Sequence, residues 1–203
     1  MNKANKYSFG ITTASLRLPE FTMVMEYLED EGDRSELIYR LGAGKESTGK
    51  KLFNELKRRA LTLSEAQRKS YIHLDLSGQR QLAYLAVCRC YPFMADFVME
   101  VLREKVLFHD MDIRESDYQK FLTQKTELYP EMERLSPVTL KSARATIFRI
   151  LEEAGIIKST REKTLLFQIL PEEIINLLLQ DNPEHLGLFF WGDQEILERK
   201  QNV

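Results

Sequence analysis

The sequence predicts an all-α, mainly helical fold with a small β-hairpin wing, organised as two helix-turn-helix-like units, the C-terminal one winged. Three observations carry this. Apolar residues recur at the spacing of buried helix faces almost throughout, and β-formers gather into a strand-like run only near 156–170. Residues 136–170 read as a capped helix, a tight glycine turn and a short hairpin carrying basic residues. Residues 34–63 read as helix, Gly42-Ala43-Gly44 turn and basic helix. With 203 residues, 43% of them hydrophobic and 30% charged, the chain can bury a sizeable core in one or two soluble domains. The expected division is 1–112, an N-terminal helical domain with the unit at 34–63, and 113–203, a C-terminal winged-helix-like domain.

The elements follow in order. Phe21–Leu28 has the spacing of a short acidic amphipathic helix, and Ser35–Leu41 of another, with Ser35 as its N-cap. Ser47 or Thr48 caps a third helix to about Leu63. On it Leu52, Phe53, Leu56, Ala60 and Leu63 form one stripe, while Lys50, Lys51, Asn54, Lys57 and Arg58 lie opposite. A helix over Gln79–Tyr91 is stopped by Pro92, which starts the next one to Lys105. After a turn at His109–Ile113, Ser116 or Asp117 opens a helix to about Leu128, and Pro130 begins the short 131–135 piece. Ser136 caps the long helix, with Pro137 in its first turn and Gly155 at its C-terminal end.

On that long helix Leu140, Ala143, Ile147, Ile150, Leu151 and Ala154 face one way. Lys141, Ser142, Ala145 and Arg149 face the other, with Arg144 on the flank beside Phe148. Small residues at 142 and 145 permit close approach to a groove. Ile156–Ser159 and Thr164–Leu170 form the expected hairpin around Thr160-Arg161-Glu162-Lys163, whose turn contains neither Gly nor Asn. Pro171-Glu172-Glu173 opens a helix with its body at Ile174–Leu179, and Leu188–Trp191 packs back on the fold.

Net charge is only −2, so any attraction to nucleic acid has to come from local patches. Residues 18–33 carry a net −6, 34–59 a net +5, 137–163 a net +3 and 164–203 a net −5. Solvated helix faces are one reading of the two basic blocks. The other is phosphate contact, with the groove-facing residues of each unit aimed at duplex DNA. The candidate DNA contacts are Lys50, Lys51, Asn54, Lys57 and Arg58 in the first unit. In the second they are Lys141, Ser142, Arg144 and Arg149 on the helix and Lys158, Arg161 and Lys163 on the hairpin. Glu152 and Glu153 follow Arg149 at i+3 and i+4 and would partly neutralise it.

Enzyme chemistry has no positive support in the sequence. No phosphate-loop or dinucleotide fingerprint occurs; Gly42-Ala43-Gly44-Lys45 lacks both the spacing and a preceding buried strand. Cys88 and Cys90 do not share a helix face, and the chain has no second cysteine pair to complete a zinc site. His109-Asp110-Met111-Asp112 reads as a solvated acidic turn rather than a metal site. Neither catalytic residues nor a cofactor or metal are expected. Leu82–Leu102 contains Arg89, Asp96 and Glu100, so it is not a membrane span. Met1–Lys6 is followed by no apolar signal region, which favours a reduced, cytoplasmic compartment.

A family resemblance runs over nearly the whole chain. It lies in Tyr7-Ser8-Phe9-Gly10 with Thr12, Thr13, Ser15 and Leu16, in Arg80-Gln81-Leu82, in Tyr91-Pro92 and in Asp96-Phe97-Val98. It continues through Glu100-Val101-Leu102-Arg103-Glu104-Lys105, Asp117-Tyr118, Phe121, Leu135-Ser136, Thr139 and Leu151-Glu152-Glu153-Ala154-Gly155-Ile156. In these pieces and their order the chain resembles the BrxA family of bacteriophage exclusion (BREX) defence systems. The resemblance implies a small, helical, soluble component that binds nucleic acid beside a methyltransferase, an ATPase and a phosphatase-like partner and has no catalytic residues; with the two basic units the expected ligand is double-stranded DNA. A protein–protein adaptor that uses winged-helix surfaces without touching DNA is the alternative, because winged helices serve both ends.

Overall fold

The computed structural model describes Tyr7, residues 10–30 and residues 32–201. Met1–Lys6, Ser8, Phe9 and Glu31, on which the sequence reading also drew, lie outside the described residues. The architecture is helical. After a 3-10 turn at Gly10–Thr13 come α1 (Leu18–Asp30), α2 (Arg34–Leu41), α3 (Glu46–Ala60), α4 (Glu65–Tyr71) and α5 (Leu76–Cys90). A helix that starts at Pro92 runs as α6 (Pro92–Phe97), a π-helical turn (Val98–Leu102) and α7 (Arg103–Leu107). The rest comprises α8 (Glu115–Leu128), a 3-10 turn at Pro130–Arg134, α9 (Pro137–Glu153), α10 (Glu172–Asp181), a 3-10 stretch at Pro183–Phe189 and α11 (Asp193–Gln201).

Helix α5 is the axis of the core. Gln81 to Cys88 are all buried, and α1, α3, α4, α6 and the 183–189 stretch pack around it. The buried apolar residues form one cluster that runs through both halves of the chain. Pro92 ends α5 by removing a backbone donor, so the 82–102 segment is two helices. No helix among the described residues is long and apolar enough to cross a membrane.

Several boundaries differ from the sequence expectation. The N-cap of α2 is Asp33 rather than Ser35, because the Asp33 carboxylate reaches the backbone N–H of Ser35 (2.7 Å) and Glu36 (3.4 Å). Ser47 and Thr48 lie inside α3, whose N-cap position is Lys45. Helix α3 stops at Ala60, and the residues beyond it hold α4, started by a Ser64–Gln67 capping box. Ser136 caps α9 as expected, accepting from Thr139 N at 3.1 Å.

A hairpin of regular strands does not form at 156–170 among the described residues. Two isolated antiparallel bridges stand in its place, Ile157 with Leu165 and Asp112 with Thr164. Lys158 N donates to Thr164 O (2.9 Å) and Leu166 N to Ile156 O (2.9 Å) on one edge. Leu165 N donates to Met111 O (2.7 Å) and Ile113 N to Lys163 O (3.1 Å) on the other. The connection turns without glycine because Lys163 itself takes the left-handed conformation, φ 52°. The turn falls at the expected residues, but the ladder stops at Leu166, where the Gln168 side-chain amide donates to the Gly155 and Leu166 carbonyls at 2.9 Å each.

Candidate nucleic-acid interface

The first basic block is built on a tight helix crossing. A Cβ at Gly49 would lie 1.9 Å from Ile38 O, so only glycine lets α2 and α3 meet there. The apolar stripe Leu52, Phe53, Leu56, Ala60 and Leu63 is buried as expected. Opposite it, Lys50, Lys51 and Asn54 are exposed. Lys50 pairs with Glu46 one turn back, both well exposed, a contact worth little in water. Lys57 Nζ and Arg34 Cζ lie over the Phe53 ring at 5.7 and 5.2 Å. Beside them α2 and α3 enclose a concavity of about 490 Å³ lined by Arg34, Tyr39, Glu46 and Lys50 among others, with Tyr39 64% exposed.

Arg58 is 46% exposed, but its guanidinium is tied back to Glu55 and Tyr91 rather than left free along this face. Its guanidinium donates to Glu55 Oε2 (2.9 Å) and to Tyr91 Oη (2.6 Å) and stacks on the Tyr91 ring. Its neighbour Arg59, absent from the sequence-level candidates, is fully buried. Arg59 donates to Glu55 Oε1 (2.7 Å), Ser15 O (2.6 Å) and Ala14 O (2.7 Å). Tyr91 also donates to Glu55 Oε1. Burial alone would raise the Glu55 carboxyl; Arg59, with hydrogen bonds from Tyr91 and Arg58, outweighs it and holds it below the usual carboxylate range. This clasp fastens the 10–17 segment to α3. A second one fastens Tyr7, whose hydroxyl donates to Asp96 (2.7 Å) while the buried Lys125 bonds Asp96 and Glu100 at 2.6 Å each. A lone Arg among three successive bases carries no periodic signal that separates a buried clasp from a solvated face.

The second basic block converges. Lys141, Ser142, Arg144, Arg149 and Lys163 line one concavity of about 580 Å³ together with Ala145, Thr146, Phe148 and Thr160, and no carboxylate lines it. Helix α9 supplies one wall and the 159–163 turn the other. Among the described residues no carboxylate stands within ion-pair distance of Lys141 or Arg149, so the expected neutralisation of Arg149 by Glu152 and Glu153 is not realised. Glu153 instead accepts from Arg17 N at 3.2 Å. Arg144 lies over Tyr118 and Phe148, 5.7 Å from each ring centroid, and pairs with Glu115. Lys163 sits over Phe148 at 4.9 Å. Lys158 and Arg161 do not line the groove; Lys158 is tied to Glu162 (2.7 Å) and Arg161 is exposed. A cationic groove walled by a helix with small outward residues can hold phosphates and admit base edges.

The comparisons bear on fold and family. No curated protein matches the chain. A crystal structure described as an uncharacterized protein from Magnetospirillum magneticum aligns with a TM-score of 0.77 at 18% sequence identity, covering 91% of this chain and 98% of that one, so the fold is shared. The BrxA family model matches residues 5–182, most of the chain. The protein therefore belongs to the BrxA family.

Proposed function

We propose that this chain is a non-enzymatic component of a bacteriophage exclusion system that binds double-stranded DNA through two helix-turn-helix units, one centred on α3 and one on α9. Membership of the BrxA family supports the defence role. The single observation that carries DNA binding is the α9 groove, where Lys141, Arg144, Arg149 and Lys163 meet and Glu115 is the one carboxylate paired with any of them among the described residues. The three-segment pairing of 111–113, 156–158 and 163–166 acts as a minimal wing, presenting Lys163 and the exposed Arg161 to phosphate. In the first unit Lys50, Lys51, Asn54 and Lys57 reach the backbone, and Arg58 contributes its charge from a fixed position. The protein works in the cytoplasm beside methyltransferase, ATPase and phosphatase-like partners.

An adaptor role is favoured by a separate feature. Phe167 and Ile169 are 68% and 86% exposed just beyond the wing, and such residues suit a protein partner. The two roles are compatible on different faces. A gel-shift titration with a random duplex separates them: retarded complexes at micromolar protein support DNA binding, and an unretarded duplex throughout the titration refutes it.

A further inference from the structure

Two of the four groove cations converge on a single oxygen. Arg144 donates through Nη2 to Glu115 Oε2, and Lys163 Nζ lies 3.8 Å from the same atom. Both cations are packed against aromatic rings. The Arg144 guanidinium lies over two aromatic rings, the Lys163 ammonium lies over one, and Lys163 has a left-handed backbone that a side chain with a Cβ rarely takes. Arg144 Nε is buried with no hydrogen-bond partner among the described residues. Glu115, by contrast, is 61% exposed in the first turn of α8 and makes no other ion pair among the described residues.

Two cations packed against aromatic rings with their charged ends on one point constitute an anion seat, and the seat is filled by the more exposed partner. A phosphate offers the same oxygen pair as a carboxylate with a further oxygen to spare, and guanidinium groups bind both in the same geometry. We propose that Arg144 and Lys163 form a seat for one backbone phosphate of duplex DNA and that Glu115 occupies it as an internal competitor until the duplex displaces it. This rests on the DNA-binding reading of the groove. Glu115 then lowers affinity for every duplex and selects for those that place a phosphate well enough to evict it.

The test is Glu115→Gln, which keeps the side chain's size and removes its charge. Affinity for a random duplex rises roughly threefold to tenfold. The log–log salt slope steepens by up to about one unit, because a displaced Glu115 no longer takes up a cation on binding. Glu152→Gln, an exposed carboxylate on α9 outside the seat, is the charge-matched control and gives a smaller gain. In an Arg144→Ala background Glu115→Gln gains no more than Glu152→Gln does. If the parent binds DNA and Glu115→Gln changes affinity by less than twofold, or no more than Glu152→Gln does, the seat is refuted while the DNA-binding reading stands. If neither parent nor variant binds DNA, that reading itself falls and the seat with it.

Discussion

Replacing Arg59 with leucine tests the clasp on which the geometry of the first unit depends. The wild-type guanidinium is fully buried and makes three hydrogen bonds of 2.6–2.7 Å, one to a carboxylate and two to the Ala14 and Ser15 carbonyls. Leucine fills much of the space but leaves Glu55, only 7% exposed, short of its main partner. Removing one member of a buried ion pair costs about 3–5 kcal/mol. Each carbonyl left without a donor costs about 1 kcal/mol or more within that total. Arg58 and Tyr91 still reach Glu55, which argues for a loss of about 4 kcal/mol rather than the upper limit. With an m-value of about 2–3 kcal/mol/M, the urea midpoint falls by roughly 1.5 M. Glu55→Leu combined with Arg59→Leu leaves no buried charge unpaired, since Arg58, which also loses Glu55, is 46% exposed, and should be more stable than Arg59→Leu alone. A single variant within about 1 kcal/mol of the parent, or a double variant less stable than the single, refutes the clasp as a stabilising element.

Other expectations follow from the same contacts. Lys50→Ala, Lys51→Ala and Lys57→Ala together, sparing Arg58 for its role beside Glu55, should weaken duplex binding in a fluorescence titration and leave the circular dichroism unchanged, since exposed helix substitutions cost within about ±0.5 kcal/mol each. Ile147, fully buried on the inner face of α9, tolerates no charge, so Ile147→Asp should lower the melting temperature by roughly 10 °C or abolish the transition. His185 is pushed down to about 4, first by burial and then by Arg89, against which Asp181 and Glu184 pull weakly upward. The unfolded imidazole takes up its proton near 6.5 while the folded one stays neutral, so stability is full above that pH, declines as pH falls, and levels off below about 4. His185→Gln should flatten the profile of melting temperature against pH over that window.

The helical plan was legible because periodicity and caps are local. Ser136-Pro137 and Gly155 bracket α9, and the stripes on α3 and α9 bury as the spacing dictates, except that Leu140 is only partly buried. Helix α4 escaped notice because its seven residues bury only Gln67 and Tyr71, too few to define a face. Helix α5 is surrounded, so its apolar pattern has no polar side against which to read a boundary. At the second unit five of the seven candidates, Lys141, Ser142, Arg144, Arg149 and Lys163, line the groove. Lys158 and Arg161 have the right charge and lie outside it, because a turn's side-chain directions depend on one residue with positive φ. Arg58 and Arg59 differ by one position, yet a stripe narrower than the helix surface decides which is solvated and which is sealed. Glu115 was invisible as a groove neighbour, since its partners lie 29 and 48 positions further along the chain.

The central claim is that fixed surface cations hold duplex phosphates, and the salt dependence of affinity tests it most directly. Binding of the intact chain to a random duplex should be followed by fluorescence anisotropy from roughly 50 to 200 mM salt. About four to six phosphate contacts across the two units predict a straight log–log plot with a slope of roughly −4 to −5. An affinity that does not change with salt, or no binding at the low-salt end, contradicts the account.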